Sequence, residues 1–342
     1  MTRSAVRGRP TPTRRLGRRA ALLTVPFVVL AGCAAPLPQA EPEPVPAVAP
    51  PALSVAQSQR VLDAVAEVVA AGDVANDAAG LPARLEGPAL AIRTAEYVRN
   101  VTTEGGRPPT VLPFEEQALI VPETDAWPRT QLVVTEQPDD LQAPRILVLR
   151  QDGPREPYRM WGWARLMPGV SMPPTAAPEV GSPTVEPDSA GLLMTPADAL
   201  AQYADVLGNG DASQFAPSFA SDAFRAGIET ERTALATNLG DTASVTQTYA
   251  AAPEPVVSLG TVDGGAVVVG ELTTTSTIAL TAGGKVNVEP FYSALTGGAT
   301  SAENSLTRVF GGVVVLYVPP AGSGAQVQVL AGEQLVTGAS VQ

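Results

Sequence analysis

Ala66-Glu67-Val68-Val69-Ala70-Ala71-Gly72-Asp73 returns 138 residues later as Ala204-Asp205-Val206-Leu207-Gly208-Asn209-Gly210-Asp211. The residues leading into each copy carry helical spacing. Val61, Leu62, Val65, Val68 and Val69 recur at i, i+1, i+4, i+7 and i+8, and Leu200, Tyr203, Ala204 and Leu207 at i, i+3, i+4 and i+7, one apolar stripe in each case. Ser54 with Gln57 reads as a capping box, and Thr195-Pro196-Ala197-Asp198 as an N-cap followed by proline at the first helical position. Gly72 and Gly208-Asn209-Gly210 read as helix stops. A second helix is expected after each stop, one within 83–100 and one from about Ser221 to Leu239, closed by Gly240. Leu90 and Phe224 stay in register if the first half holds about four extra residues, so the pattern predicts a duplication.

Downstream of each helix pair the period changes. Ala118–Val121, Leu132–Thr135, Arg145–Arg150 and Tyr158–Leu166 are short β-branched or aromatic runs broken by Pro, Asp and Gly, the signature of antiparallel strands. The second half offers Val256–Leu259, Ala266–Leu280, Lys285–Glu289, Leu306–Val309, Val313–Val318, Val327–Leu330 and Gln334–Val336, with Gly283-Gly284 and Gly322-Ser323-Gly324 as hairpin loops. Between the halves, residues 168–193 are rich in Pro, Ser, Thr and Glu and have no periodic apolar face, which predicts a linker. The expected architecture is α+β, with tandem domains over 53–167 and 194–342, each placing helices before a curved antiparallel sheet. That order of elements resembles the cystatin-like roll that includes the nuclear transport factor 2 superfamily.

The N-terminal residues carry a different signal. Arg3, Arg7, Arg9, Arg14, Arg15, Arg18 and Arg19 precede an apolar run, Ala20 to Leu30, and no acid interrupts them. At about 1.5 Å per residue this run falls short of the roughly 30 Å hydrocarbon core, and Pro26 weakens it further as a permanent span. It ends Leu30-Ala31-Gly32-Cys33, which resembles a bacterial lipobox. The resemblance implies a signal peptide over 1–32, cleavage between Gly32 and Cys33, and a diacylglycerol on Cys33, which then carries two or three acyl chains. Two such chains give stable membrane attachment. Arg18-Arg19 before Ala20-Ala21-Leu22-Leu23 also resembles a twin-arginine signal, so the export route stays open between that and the general route. Residues 33–52 contain Glu41-Pro42-Glu43-Pro44-Val45-Pro46 and read as a disordered, extended tether. The bias to alanine, valine, proline and glycine with a single lysine, Lys285, is what a GC-rich genome produces, and the lipobox, proline tether and two expected domains together are similar to exported lipoproteins of high-GC Gram-positive bacteria. That resemblance carries no catalytic residues with it.

Composition narrows the chemistry. Removing residues 1–32 takes away seven of 22 basic residues and none of 34 acidic ones, leaving a net charge near −19. Such a surface disfavours nucleic acid, whose phosphates need cations. Histidine is absent and Cys33 is the only cysteine, so Ser-His-Asp and Cys-His mechanisms, the His-Glu-x-x-His zinc motif, and disulfides are excluded. No metal or cofactor is expected. Glu115-Glu116, Asp139-Asp140 and Glu229 with Glu231 read as solvated charge; a glycosidase would need two carboxylates facing across a cleft. Asp263-Gly264-Gly265 reads as a turn, Lys285 as an exposed hairpin lysine, and Thr273–Thr277 as a strand with a hydroxyl face that could also accept glycans. Trp161 and Trp163, two apart, are expected on one sheet face in the core, whereas Trp127 and Arg129 in a loop are the candidate surface contact for a sugar or other ligand. The expected function is therefore a non-enzymatic, lipid-anchored binding or assembly module on the extracytoplasmic face. Its partner would be another envelope protein or a wall polymer. The alternatives are a carboxylate-based wall-glycan hydrolase and a carrier holding a small ligand on the concave face of a roll.

Overall fold

The computed structural model describes residues 48–137, 142–254 and 256–342, all within one compact unit. The expected signal peptide, Gly32 and Cys33, the tether as far as 47, and Asp139-Asp140 lie outside the described residues. The first half runs α1 (Val55–Ala75), α2 (Gly87–Thr102), β1 (Glu116–Ile120), β2 (Pro122–Glu123), β3 (Arg129–Thr135), β4 (Arg145–Gln151), β5 (Arg159–Leu166) and β6 (Ser182–Pro183). The second runs α3 (Pro196–Asn209), α4 (Ala223–Leu239), β7 (Ala243–Ala251), β8 (Val257–Gly260), β9 (Ala266–Leu280), β10 (Val286–Asn287), α5 (Pro290–Leu295), β11 (Ser301–Ala302), β12 (Ser305–Val318) and β13 (Gln328–Val341).

The caps form as the sequence dictates. Ser54 and Gln57 make a reciprocal capping box at α1, and the Thr195 hydroxyl accepts the Asp198 backbone N–H at α3. Gly72 is not a stop: α1 continues to Ala75 and ends on Asn76 in the left-handed conformation. Gly72 is small for another reason, because a Cβ there would lie 2.5 Å from the Tyr97 hydroxyl of α2.

The main strands join in one nine-stranded sheet ordered β1-β3-β4-β5-β13-β12-β9-β7, with β8 also on β9. Read inward from either end, each half contributes an antiparallel meander, and the last strands of the two meanders, β5 and β13, pair at Leu166↔Ala331 and Arg165↔Gly332. Successive residues then feed opposite faces, as a pleated strand requires. Val133, Leu147 and Leu149 meet α1 and α2, and Val268, Leu272, Val314 and Leu316 meet α3 and α4. Their neighbours Leu132, Val134, Ile146, Val148, Val267, Val269, Val313 and Val315 gather from both halves into a third cluster on the other face. The two halves thus share a sheet and a core. The stretch 168–193 is mostly irregular, as its composition predicts, yet it is fastened to both halves: β6 pairs with β2, Thr184 bridges Leu259, and Leu192 bridges Pro320.

Four local expectations change. Trp161 and Trp163 do not share a face, because a bulge between Met160 and Gly162 puts Trp163 in the first cluster and Trp161 in the third. Gly311-Gly312 does not break a strand; a Cβ on Gly312 would stand 2.7 Å from the Glu333 carbonyl, so glycine lets long β12 lie against its neighbours. β13 likewise runs unbroken where two short strands are expected. At the tether end, Ala52 donates to the Pro122 carbonyl at 2.8 Å and Thr124 to that of Pro50 at 3.1 Å, so order begins before Leu53.

Candidate functional site

The clearest concavity lies beside the seam where β5 meets β13. α4 forms one wall. Asp222 caps that helix, accepting the Arg225 backbone N–H at 2.7 Å and the Tyr203 hydroxyl at 3.0 Å, and burial raises its carboxyl above the usual range. Only Ile228 of α4 is buried. Phe224 lies over Gly332, where a Cβ would come 2.8 Å from the ring. One turn along, Gly227 also faces the groove, and a Cβ built there meets nothing within 4 Å.

The remaining walls come from both halves: Gln117 and Ala118 of β1, the chain from Arg165 to Met172 leaving β5, Phe310 of β12, and Glu333 and Gln334 of β13. The groove encloses about 1210 Å³. Its surface mixes Phe224, Ile228, Phe310 and Met172 with the amides of Gln117, Gln137, Gln142 and Gln334. Glu333 of this wall accepts from the Arg145 guanidinium at 2.9 Å, which also donates to the Val111 carbonyl at 3.2 Å and to Gln142 at 3.1 Å. Burial pushes the Glu333 carboxyl up, while Arg145, and more weakly Arg165, pull it down. Arg165 is exposed in the groove wall. An ion-paired Glu333 is poorly placed as a free general base, and neutral amides beside aromatic and aliphatic side chains suit a ligand that presents apolar surface and uncharged hydrogen-bonding groups.

Of the carboxylates expected in solvent, Glu231 lines this groove. Glu229 pairs with Arg232 on the exposed side of α4. Trp127 and Arg129 do come together, with the guanidinium 4.0 Å from the ring centroid and Trp127 37% exposed. Arg129 also donates to the carbonyls of Ala52, Asp125 and Ala126, so its charge is engaged in holding this loop to the start of the ordered chain. Trp127 donates to Gln151 at 3.2 Å. Lys285 is exposed and reaches Glu303 at 3.8 Å. Asp263 is a turn residue: it accepts from the Thr261 and Tyr317 hydroxyls and the Gly265 N–H, which hold its carboxyl below the usual range. Among the described residues no group of three or more potential metal ligands converges, and no helix is long and apolar enough to cross a membrane.

Phe224, Gly227, Arg165 and Glu333 were not legible as a site. Gly227 gave the one available signal, since glycine inside a helix costs about 0.5–1 kcal/mol and needs a reason. Among the described residues no packing partner supplies that reason. No curated protein and no solved structure matches the chain. A family profile matches residues 49–341, and the chain belongs to the family described as a domain of unknown function, DUF8094.

Proposed function

We propose that this protein is a lipid-anchored, extracytoplasmic binding module of the cell envelope, and that the groove between α4 and the β5–β13 seam takes an extended segment of a partner protein. The observation that carries the reading is Gly227: it stands in α4 between half-buried Phe224 and buried Ile228, which also line the groove, and among the described residues nothing lies within 4 Å of a Cβ built there. Glutamine side chains line the wall, Gln142 accepting from Arg145 and Gln334 from Thr274, and the two phenylalanines supply surface for apolar side chains of the partner. Support for the anchor is the Leu30-Ala31-Gly32-Cys33 sequence with its arginine-rich lead. The mirrored strand order supports a second element of the reading, that two roll-like, domain-sized repeats were duplicated and fused through their last strands.

The test uses the chain with Cys33→Ser added to envelope fragments. Cosedimentation should be saturable and about tenfold weaker for Gly227→Phe, since loss of about 1.4 kcal/mol corresponds to that factor. Unchanged binding by a folded Gly227→Phe variant would remove the groove from the function. The anchor is tested separately by the mass of the mature N-terminal peptide, which should carry acyl chains on Cys33. A wall-glycan hydrolase is the second reading, because Glu231 and Glu333 both border the groove. Release of soluble glycan that stops in Glu333→Gln would favour it.

A further inference from the structure

The two ends of the large sheet are built differently. β1 is five residues long, begins at Glu116 and carries a bulge at Gln117, features that discourage pairing with another chain. β7 is nine residues long, Ala-Ser-Val-Thr-Gln-Thr-Tyr-Ala-Ala, with no charge, no proline and no bulge in its register with β9. Among the described residues it pairs with β9 alone, and none of its residues is buried. Ser244, Thr246, Thr248 and Ala250 are exposed on one face, next to Thr275 and Thr277 of β9. An uncharged edge of this length is unusual in a chain with 34 acidic and 22 basic residues, where most surfaces of two copies repel.

We infer that β7 is a self-association edge: two copies of this chain pair antiparallel through β7 about a twofold axis at Gln247. The strand is self-complementary in that register. Thr246 falls opposite Thr248 of the second copy, Val245 opposite its Tyr249, Ser244 opposite its Ala250, and no charges meet. Threonine pairs and aromatic–β-branched pairs are among the favourable cross-strand neighbours. The twofold arrangement closes on itself, so it stops at a dimer and does not propagate. The buried area of one strand pair is below that of a standard interface, so the dimer is weak in dilute solution and favoured where copies are concentrated on one surface. The inference does not depend on the groove or on the anchor.

The test is sedimentation equilibrium of the chain carrying Cys33→Ser over a range of concentrations, with circular dichroism and melting temperature as fold controls. The unaltered strand should give a reversible monomer–dimer equilibrium. Thr246→Lys with Thr248→Lys sets like charges directly opposite one another twice and should weaken it about tenfold or more. Thr246→Glu with Thr248→Glu should do the same. Mixing the lysine and glutamate variants should restore a dimer, now a heterodimer, because each lysine then faces a glutamate. A monomer at every concentration overturns the inference. So does a dimer indifferent to the lysine pair, or variants that keep their fold yet show no rescue on mixing.

Discussion

The second helix of each half holds the same place in the order of elements, yet the two are used in opposite ways. α2 buries Pro88, Ala89, Ile92, Arg93, Ala95, Glu96 and Tyr97; α4 buries Ile228. On α2 the core even contains charge. The Arg93 guanidinium donates to Glu96 at 2.9 Å and to the Thr110 carbonyl at 2.8 Å, and lies 5.6 Å from the centroid of the Trp163 ring. Glu96 also accepts from the Thr110 backbone N–H and hydroxyl. On α4 the corresponding ion pair, Arg225 with Asp211, has its acid 95% exposed. In both halves the Asp of the repeated Gly-Asp pair meets an Arg of the second helix, Asp73 in the last turn of α1 with Arg93, and Asp211 just beyond α3 with Arg225. In the first pair the arginine is fully buried, and in the second the pair lies at the surface. The same order of elements therefore gives one half whose second helix is packed into the core and one whose second helix is mostly exposed.

The largest contrast should appear on breaking these pairs. Arg93→Leu strands Glu96 in the core and should cost about 3–5 kcal/mol, whereas Arg225→Leu should cost about 1 kcal/mol or less. Denaturant unfolding measures both, and equal losses would contradict the contrast. The two glycines should then differ in sign. Gly72→Ala drives a methyl into the Tyr97 hydroxyl and destabilises, while Gly227→Ala meets nothing and should stabilise by about 0.5–1 kcal/mol through helix propensity. A destabilised Gly227→Ala would show that α4 is packed after all.

A smaller effect concerns pH. Burial raises the carboxyls of Glu86, Glu116, Asp222, Glu271 and Glu333 above the usual carboxylate range. Groups raised in this way bind more protons folded than unfolded, so stability grows as pH falls through the interval between the unfolded and folded values. Asp263, lowered by its hydrogen bonds, works the other way. The melting temperature should therefore rise on acidification from pH 7 toward 5, and Glu333→Gln should flatten the rise. A monotonic fall over that range would contradict these shifts.

Much of this plan was legible because its signals are local. Capping residues and 3.6-residue spacing gave α1, α3 and α4, and the run Ala266–Leu280 gave β9 with its bounds. Strand β7 left no such mark, since its small and hydroxyl residues lie on an edge where neither face is buried. Leu306–Val309 and Val313–Val318 read as two strands, whereas β12 runs through both because Gly312 lets it lie close to Glu333, 21 residues away. The bulge at Trp161 escaped for the same reason, as it depends on the partner strand. The groove is least local of all: Gln117, Arg165, Phe224 and Glu333 meet only once the two halves share a sheet.

The most direct test of the groove as a binding site is a photo-reactive residue in place of Ser171, on the wall opposite α4, in the full anchored chain in intact cells. A control carries the same group in place of Val74, which is 89% exposed on α1. A discrete adduct should form at 171, disappear when Gly227→Phe fills the groove, and not form at 74. Equal labelling at both positions, or an adduct at 171 that survives Gly227→Phe, would contradict the groove as the site of partner binding.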